Sequence, residues 1–245
     1  MALPTMIEVQ GLVKRFGAVT AIDGVSFHAR PGEVTGFLGQ NGAGKTTTMR
    51  ILATLLDPTD GGAVVNGHDV RTEPEAVRRS VGLLTEEPGL YEKMTVREQL
   101  AFFGGVYDLP RARIDERIDH LATSIGFAEY LDRRAGTLSK GTRQKVAVAR
   151  ALIHDPPVLL LDEPTAALDV VAASAMEDFM ASDALRGKTV LLSTHIVEEA
   201  ARLCARIVVI GRGKVVADGT PTELGGGRRA NLRRKLLALM NGAGA

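Results

Sequence analysis

The sequence predicts an α/β fold in which a mainly parallel sheet is flanked by helices on both faces. Three observations predict it. The short apolar runs Val34–Leu38, Val81–Leu84, Val158–Leu161, Val190–Ser193 and Ile207–Ile210 lack polar alternation, so they read as strands buried on both sides. Helical patterns fall between them, as parallel strands require. From about Pro88 to Lys145 the texture becomes helical, an insert between two α/β pieces.

Taken in order, Ile7–Gln10 and Val25–Ala29 read as strands punctuated by Gly and Pro. Val34–Leu38 leads into a Gly-rich loop and a helix from about Lys45 to Leu56. Ala63–Asn66 followed by Gly67 suggests a strand and a turn. In the insert, Thr95 with Glu98 forms a capping box, and Leu100, Phe103 and Tyr107 continue an apolar stripe. Arg111–Ile125 is a second amphipathic pattern, and Thr142–His154 a further helix. The tail opens with Gly225, Gly226 and Gly227. Arg228, Arg229, Arg233, Arg234 and Lys235 then surround Leu232, Leu236, Leu239 and Met240 at helical spacing. Two readings fit: a helix at a membrane surface, or one packed on the body or on a second copy.

A chain of 245 residues is long enough for one large α/β domain or two small ones. Apolar content of 45% and charged content of 24% are ordinary for a globular protein. A formal charge of +1 leaves no basic field, so no nucleic-acid partner is expected from bulk electrostatics. Cys204 is the sole cysteine, which fits a reducing compartment and a small buried residue. No apolar run reaches the ~18 residues needed to cross a bilayer, so no direct membrane span is expected. The start, MALPTMIEVQ, lacks the charged-then-apolar order of a signal peptide. The expected location is cytoplasmic, with any membrane role supplied by a partner.

The loop after Val34–Leu38 carries the first chemistry. Gly39, Gln40, Asn41, Gly42, Ala43, Gly44, Lys45 and Thr46 match G-x-x-x-x-G-K-[ST], with a strand before and a helix after. Glycines let backbone N–H groups turn inward around phosphate oxygens, and the helix N-terminus adds positive dipole. Lys45 is expected at the β- and γ-phosphates, and the Thr46 hydroxyl on Mg²⁺. Thr47 completes the cradle.

The second is Asp162-Glu163, delivered by Val158–Leu161 to the carboxyl end of the sheet, where ligands bind in such folds. Asp162 is placed to hold Mg²⁺. Glu163 lies one residue further on, near where an attacking water would sit, and is the expected general base.

The third is Leu138-Ser139-Lys140-Gly141-Thr142, a helix start. Ser139 can cap the helix or donate to a phosphate, and Gly141 can bring its N–H close to one. With the run to Asp169 behind it, this segment resembles the ATP-binding subunits of ABC transporters, which usually have Leu-Ser-Gly-Gly-Gln here. Ser139 and Gly141 match that pattern; Lys140 and Thr142 depart from it.

The resemblance covers nearly the whole chain. It implies a P-loop NTPase with a RecA-like sheet, an N-terminal antiparallel β subdomain and the inserted helical subdomain at about 88–145. The ATPase domain would span 1–224, and the basic amphipathic tail 225–245. It implies that Phe16 stacks on adenine, that Asp169 in Ala167-Leu168-Asp169 meets an opposing subunit, and that His195 contacts the γ-phosphate. Glu86 stands where the family usually has Gln and is expected near Mg²⁺. The cofactors implied are ATP and Mg²⁺. The partners implied are a second ATPase subunit, probed by Ser139 in trans, and transmembrane permease subunits contacted through Glu87–Met94. The segments around Lys140–Lys145 and Thr194–Ala200 look like the exporter-type group. The alternative is a soluble ATPase of the same fold acting on nucleic acid or ribosomes. Those relatives typically carry a second cassette or long insertions, which this sequence lacks.

Overall fold

The computed structural model describes residues 5–87, 89–166, 168–182, 185–228 and 231–242. Pro88, Ala167 and Arg229, used in the sequence reading, lie outside them, as do residues 1–4.

A four-stranded antiparallel sheet is formed by β1 (Ile7–Phe16), β2 (Val19–Ala29), β4 (Asp60–Val65) and β5 (His68–Asp69), in the order β2-β1-β4-β5. The second sheet holds β3 (Val34–Leu38), β6 (Val81–Leu84), β7 (Val158–Asp162), β8 (Thr189–Thr194), β9 (Arg206–Gly211) and β10 (Lys214–Gly219), in the order β10-β9-β3-β8-β7-β6. All its neighbours are parallel except β9 and β10. The phosphate-loop strand β3 therefore lies beside β8, and β8 beside β7. This order brings three predicted site segments to the carboxyl ends of adjacent inner strands.

Successive residues of the inner strands point to opposite faces. Val158 and Leu160 join the core under the antiparallel sheet and α1 (Lys45–Leu52). Leu159 and Leu161 join the core under the helical insert. That two-sided burial is why the strand sequences show no alternation. The insert consists of α3 (Val96–Val106) and α4 (Arg111–Ile125), which pack on α5 (Lys140–Leu152). The predicted capping box of Thr95 and Glu98 is present in both directions.

Several predicted boundaries change. Helix α1 stops at Leu52 rather than Leu56, because Thr54 takes a left-handed φ of 58° that a helix cannot accommodate. Strands β1 and β2 run further than expected, carried past register shifts near Gly11. Helix α5 starts at Lys140, since the Ser139 hydroxyl caps it by accepting from Thr142 N at 3.2 Å. The helices α2 (Pro74–Ser80), α6 (Val170–Met180), α7 (Val197–Leu203) and α8 (Pro221–Leu224) join those read from the sequence. In the tail, α9 (Leu232–Gly242) buries Leu232, Leu236 and Met240 against the body, next to α7 and β9. Arg233 pairs with Glu198 of α7. The apolar side of this helix is therefore already covered. Cys204 is buried, and burial pushes its thiol well above the usual range, which makes it inert.

His154, just past α5, stacks on Tyr107 with ring centroids 3.6 Å apart. Its Nε2 lies 3.2 Å from the Val81 carbonyl, and its buried Nδ1 has no partner. Burial lowers its pKa to about 4. The unfolded chain takes up a proton below about pH 6.5, whereas the folded ring stays neutral. This stabilising contribution is complete above that pH and is lost as pH falls toward 4. Its upper size is about 3 kcal/mol. His154→Phe should therefore lose less Tm than the parent between pH 7 and pH 5. Equal losses in thermal melts would contradict this reading.

Candidate functional site

The turn from Gly39 to Gly44 joins β3 to α1. Gly44 has φ 107°, and a Cβ there would sit 2.8 Å from the Ala21 carbonyl oxygen, so only glycine fits. Helix α1 has no side-chain cap and no acidic residue in its first turn. Its leading N–H groups are left for an anion. Lys45 is 6% exposed and curls back, its Nζ donating to the carbonyls of Gly39 at 2.9 Å and Gln40 at 3.2 Å.

Strand β7 ends at Asp162, and the chain then turns sharply, with Glu163 in a left-handed conformation at φ 52°. Glu163 N donates to the Ser193 carbonyl of β8 at 3.0 Å, which holds the turn against the sheet. The Glu163 carboxylate is reached from two sides. Oε1 lies 3.1 Å from Lys45 Nζ, and Oε2 lies 2.8 Å from His195 Nδ1. Because a carboxylate only accepts, Nδ1 of His195 carries the hydrogen.

These groups surround a cavity of about 330 Å³, lined also by Asn41, Gly42, Thr46, Thr47, Glu86 and Ala21. Asp162 is 2% exposed, and its Oδ1 is buried with no hydrogen-bond partner. An unpaired acidic oxygen at the strand end, close in sequence to Glu163 and in the sheet to the phosphate loop, fits a divalent cation. Among the described residues no three His, Cys, Asp or Glu side chains cluster around a metal position. A cation held here would therefore need phosphate oxygens and water to complete its shell.

The other predicted residues stand elsewhere. Phe16 is half exposed at the end of β1, with Lys14 Nζ 5.1 Å from its ring centre, and it does not line the cavity. It is not a core residue. Ser139 caps α5 at the surface, and Asp169 caps α6, its Oδ1 accepting from Ala172 N at 2.8 Å. Gly141 lets the two helix starts approach: a Cβ there would lie 2.9 Å from the Ala172 Cβ. Beside them Val170 and Val171 are 86% and 80% exposed. The structure thus brings Lys45, Thr46, Glu86, Glu163 and His195 to one cavity, and Ser139, Gly141 and Asp169 do not line it.

Two side chains near the site escape the sequence reading. Gln144 is buried in α5 and its Nε2 donates to the Pro164 carbonyl at 2.8 Å. Glu199 is buried in α7, where it takes a hydrogen bond from Thr165. The one available signal is their spacing, since each falls on the apolar side of its helix.

Fold and site together define a phosphate-loop protein that binds ATP and hydrolyses it. The chain belongs to the ABC transporter family, whose pattern it matches over residues 22–166. It is similar to the ABC transporter ATP-binding protein NatA of Bacillus subtilis (strain 168), with 43% identity over 224 residues, 89% of this chain and 91% of that protein. It is 39% identical over 218 residues to the Nod factor export ATP-binding protein I of Paraburkholderia xenovorans (strain LB400), 89% of this chain and 72% of that one. A solved structure of an ATP-binding subunit of an ABC transporter superposes with a TM-score of 0.86 at 33% identity, covering 96% of this chain and 99% of the other. The protein is thus an ATP-binding subunit of a transport system, with exporter-type relatives.

Proposed function

We propose that two copies of this chain close head to tail around two ATP molecules and drive a separate membrane permease in export. The observation that carries this reading is the split of the site. The Lys45–Glu163–His195 cavity is not lined by the Ser139–Gly141 turn, which stands apart from it with exposed Val170 and Val171 beside it. Exposed valines beside a phosphate-ready helix start suit a partner that brings its own nucleotide. The ATPase domain is taken as 1–224, with residues about 88–145 as its helical insert and 225–245 as the tail.

Within one copy, Lys45 leaves Glu163 and turns to the β- and γ-phosphates. Thr46 and Asp162 would hold Mg²⁺, with Glu86 close by, and the ion would supply charge neutralisation at the phosphates. Glu163 accepts the proton of the attacking water. His195 keeps Glu163 oriented through Nδ1–H. To donate to a phosphate oxygen as well, the ring must carry both protons. Phe16, half exposed, presents a face for the adenine. Ser139 of the second copy supplies its hydroxyl to the γ-phosphate, and Lys140 adds a cation beside it. Loss of the γ-phosphate removes the bridge between copies, and this differential contact is what opens the dimer.

Among the described residues no helix is long and apolar enough to cross a membrane, and in this reading a separate permease supplies the transport path. A groove of about 340 Å³ lined by Leu55, Leu83, Phe103 and Tyr107 supports a docking place for it. Tyr91, exposed within Glu87–Met94, stands close to exposed Phe102. The subunit would then sit on the cytoplasmic side of the membrane. Export follows the relatives of this kind.

Ser139→Arg tests the trans assignment. Turnover should fall about 100-fold, equivalent to about 2.7 kcal/mol, while ATP affinity of the single chain stays within about 3-fold of the parent. Unchanged phosphate release would defeat the two-copy reading.

A further inference from the structure

Glu199 is a carboxylic acid that is 1% exposed, on the inner side of α7. Among the described residues no cation pairs with it. Its Oε1 accepts a hydrogen bond from the Thr165 hydroxyl at 2.9 Å, and its buried Oε2 has no partner. Burial raises its pKa, the nearby Thr165 and Thr194 hydroxyls partly offset this, and the charges of Glu177 and Glu163 add to it. A group that is costly to bury sits where an alanine or leucine would pack freely. Its position explains the choice.

Thr165 lies two residues past Glu163, and Glu199 lies four residues past His195. Glu163 and His195 are already joined by their 2.8 Å contact. The Thr165–Glu199 bond therefore closes a ring that runs from the Glu163 turn to α7, back through His195, and across to Glu163. Two further ties hold the same turn: Gln144 Nε2 on the Pro164 carbonyl at 2.8 Å, and Glu163 N on the Ser193 carbonyl at 3.0 Å. A non-glycine residue at φ 52° persists only where its surroundings over-determine it. Of these ties, only the one through Glu199 links the turn to α7, which begins two residues after His195.

We propose that Glu199 is a positioning residue for ATP hydrolysis: through the Thr165 hydroxyl it pins the turn after Glu163 to the helix after His195, and so fixes the carboxylate–imidazole pair at the cavity. It does not line the cavity. The proposal rests on the reading of Glu163 and His195 as the pair that activates water.

The test is steady-state ATPase kinetics and nucleotide affinity on the full chain. Glu199→Ala should lower kcat about 10-fold or more, with ATP affinity within about 3-fold of the parent, because a misplaced base costs rate rather than binding. Glu199→Gln should restore kcat to within about 2-fold, since its amide oxygen still accepts from Thr165. Thr165→Val, of the same shape without the hydroxyl, should be as slow as Glu199→Ala, and it decides the matter if the alanine variant does not fold. A full-rate Thr165→Val overturns the proposal, as does a glutamine variant no faster than the alanine one. Glu163→Gln is run alongside. Full turnover there overturns the base assignment and this proposal with it. Lost turnover there with a full-rate Thr165→Val overturns the proposal alone.

Discussion

Glu163→Gln is expected to lower ATP turnover by about 10³-fold, within the range for loss of a positioned base, while ATP binds at least as tightly as to the parent. An amide cannot take a proton from water at neutral pH, so the chemical step loses its base. Binding goes the other way for a reason visible in the resting site. The Glu163 carboxylate holds Lys45 Nζ at 3.1 Å, and a phosphate must compete with it for that ammonium. A neutral amide weakens the competitor and removes a negative charge beside the incoming triphosphate. Phosphate release and equilibrium nucleotide binding, measured on the same preparation, check both halves. Turnover within a few-fold of the parent would remove Glu163 from the role of base.

Lys45→Ala should have two separable effects. ATP affinity should fall about 100-fold, because the ammonium meeting the β- and γ-phosphates is gone. The nucleotide-free chain should also lose about 3 kcal/mol of stability, the usual cost of leaving a buried charge without its partner. Both side chains are nearly inaccessible, 6% for Lys45 and 8% for Glu163, so the pair is little screened in the resting chain. His195 remains on Oε2, and the carbonyls of Gly39 and Gln40 also lose the hydrogen bond from Lys45. Lys45→Ala with Glu163→Gln should recover most of the lost stability and none of the affinity. Denaturant melts of the two single variants and the double one form the cycle that isolates the pair. Additive losses would show that Lys45 and Glu163 do not depend on each other in the resting chain.

The parts of the site that chain neighbours determine are legible in the sequence. Gly39–Thr46 is a strand, a loop and a helix start in one segment, and Asp162-Glu163 follows its own apolar strand. Strand order is what joins them, and only the structure gives it: β3 beside β8, and β8 beside β7. The Lys45–Glu163 contact, the Glu163–His195 bond and the Thr165–Glu199 bond all cross that order, so no local pattern announces them. Helix α6 is hidden for a different reason. Its first turn exposes Val170 and Val171 where an amphipathic pattern demands polar residues. Helix α7 is short and begins without a side-chain cap, so it gives no start signal. The two long N-terminal strands are interrupted in sequence by glycines that the structure uses as bulges rather than as ends.

The claim on which the mechanism stands is that ATP joins two copies, each supplying half of a site. The most direct measurement is the solution mass of the Glu163→Gln chain, which binds ATP without consuming it, by analytical ultracentrifugation with and without ATP and Mg²⁺. The chain should sediment as a 26.0 kDa monomer alone and at twice that mass with nucleotide, and Ser139→Arg added to it should return it to the monomer. A particle that stays at 26.0 kDa with saturating ATP would contradict the account.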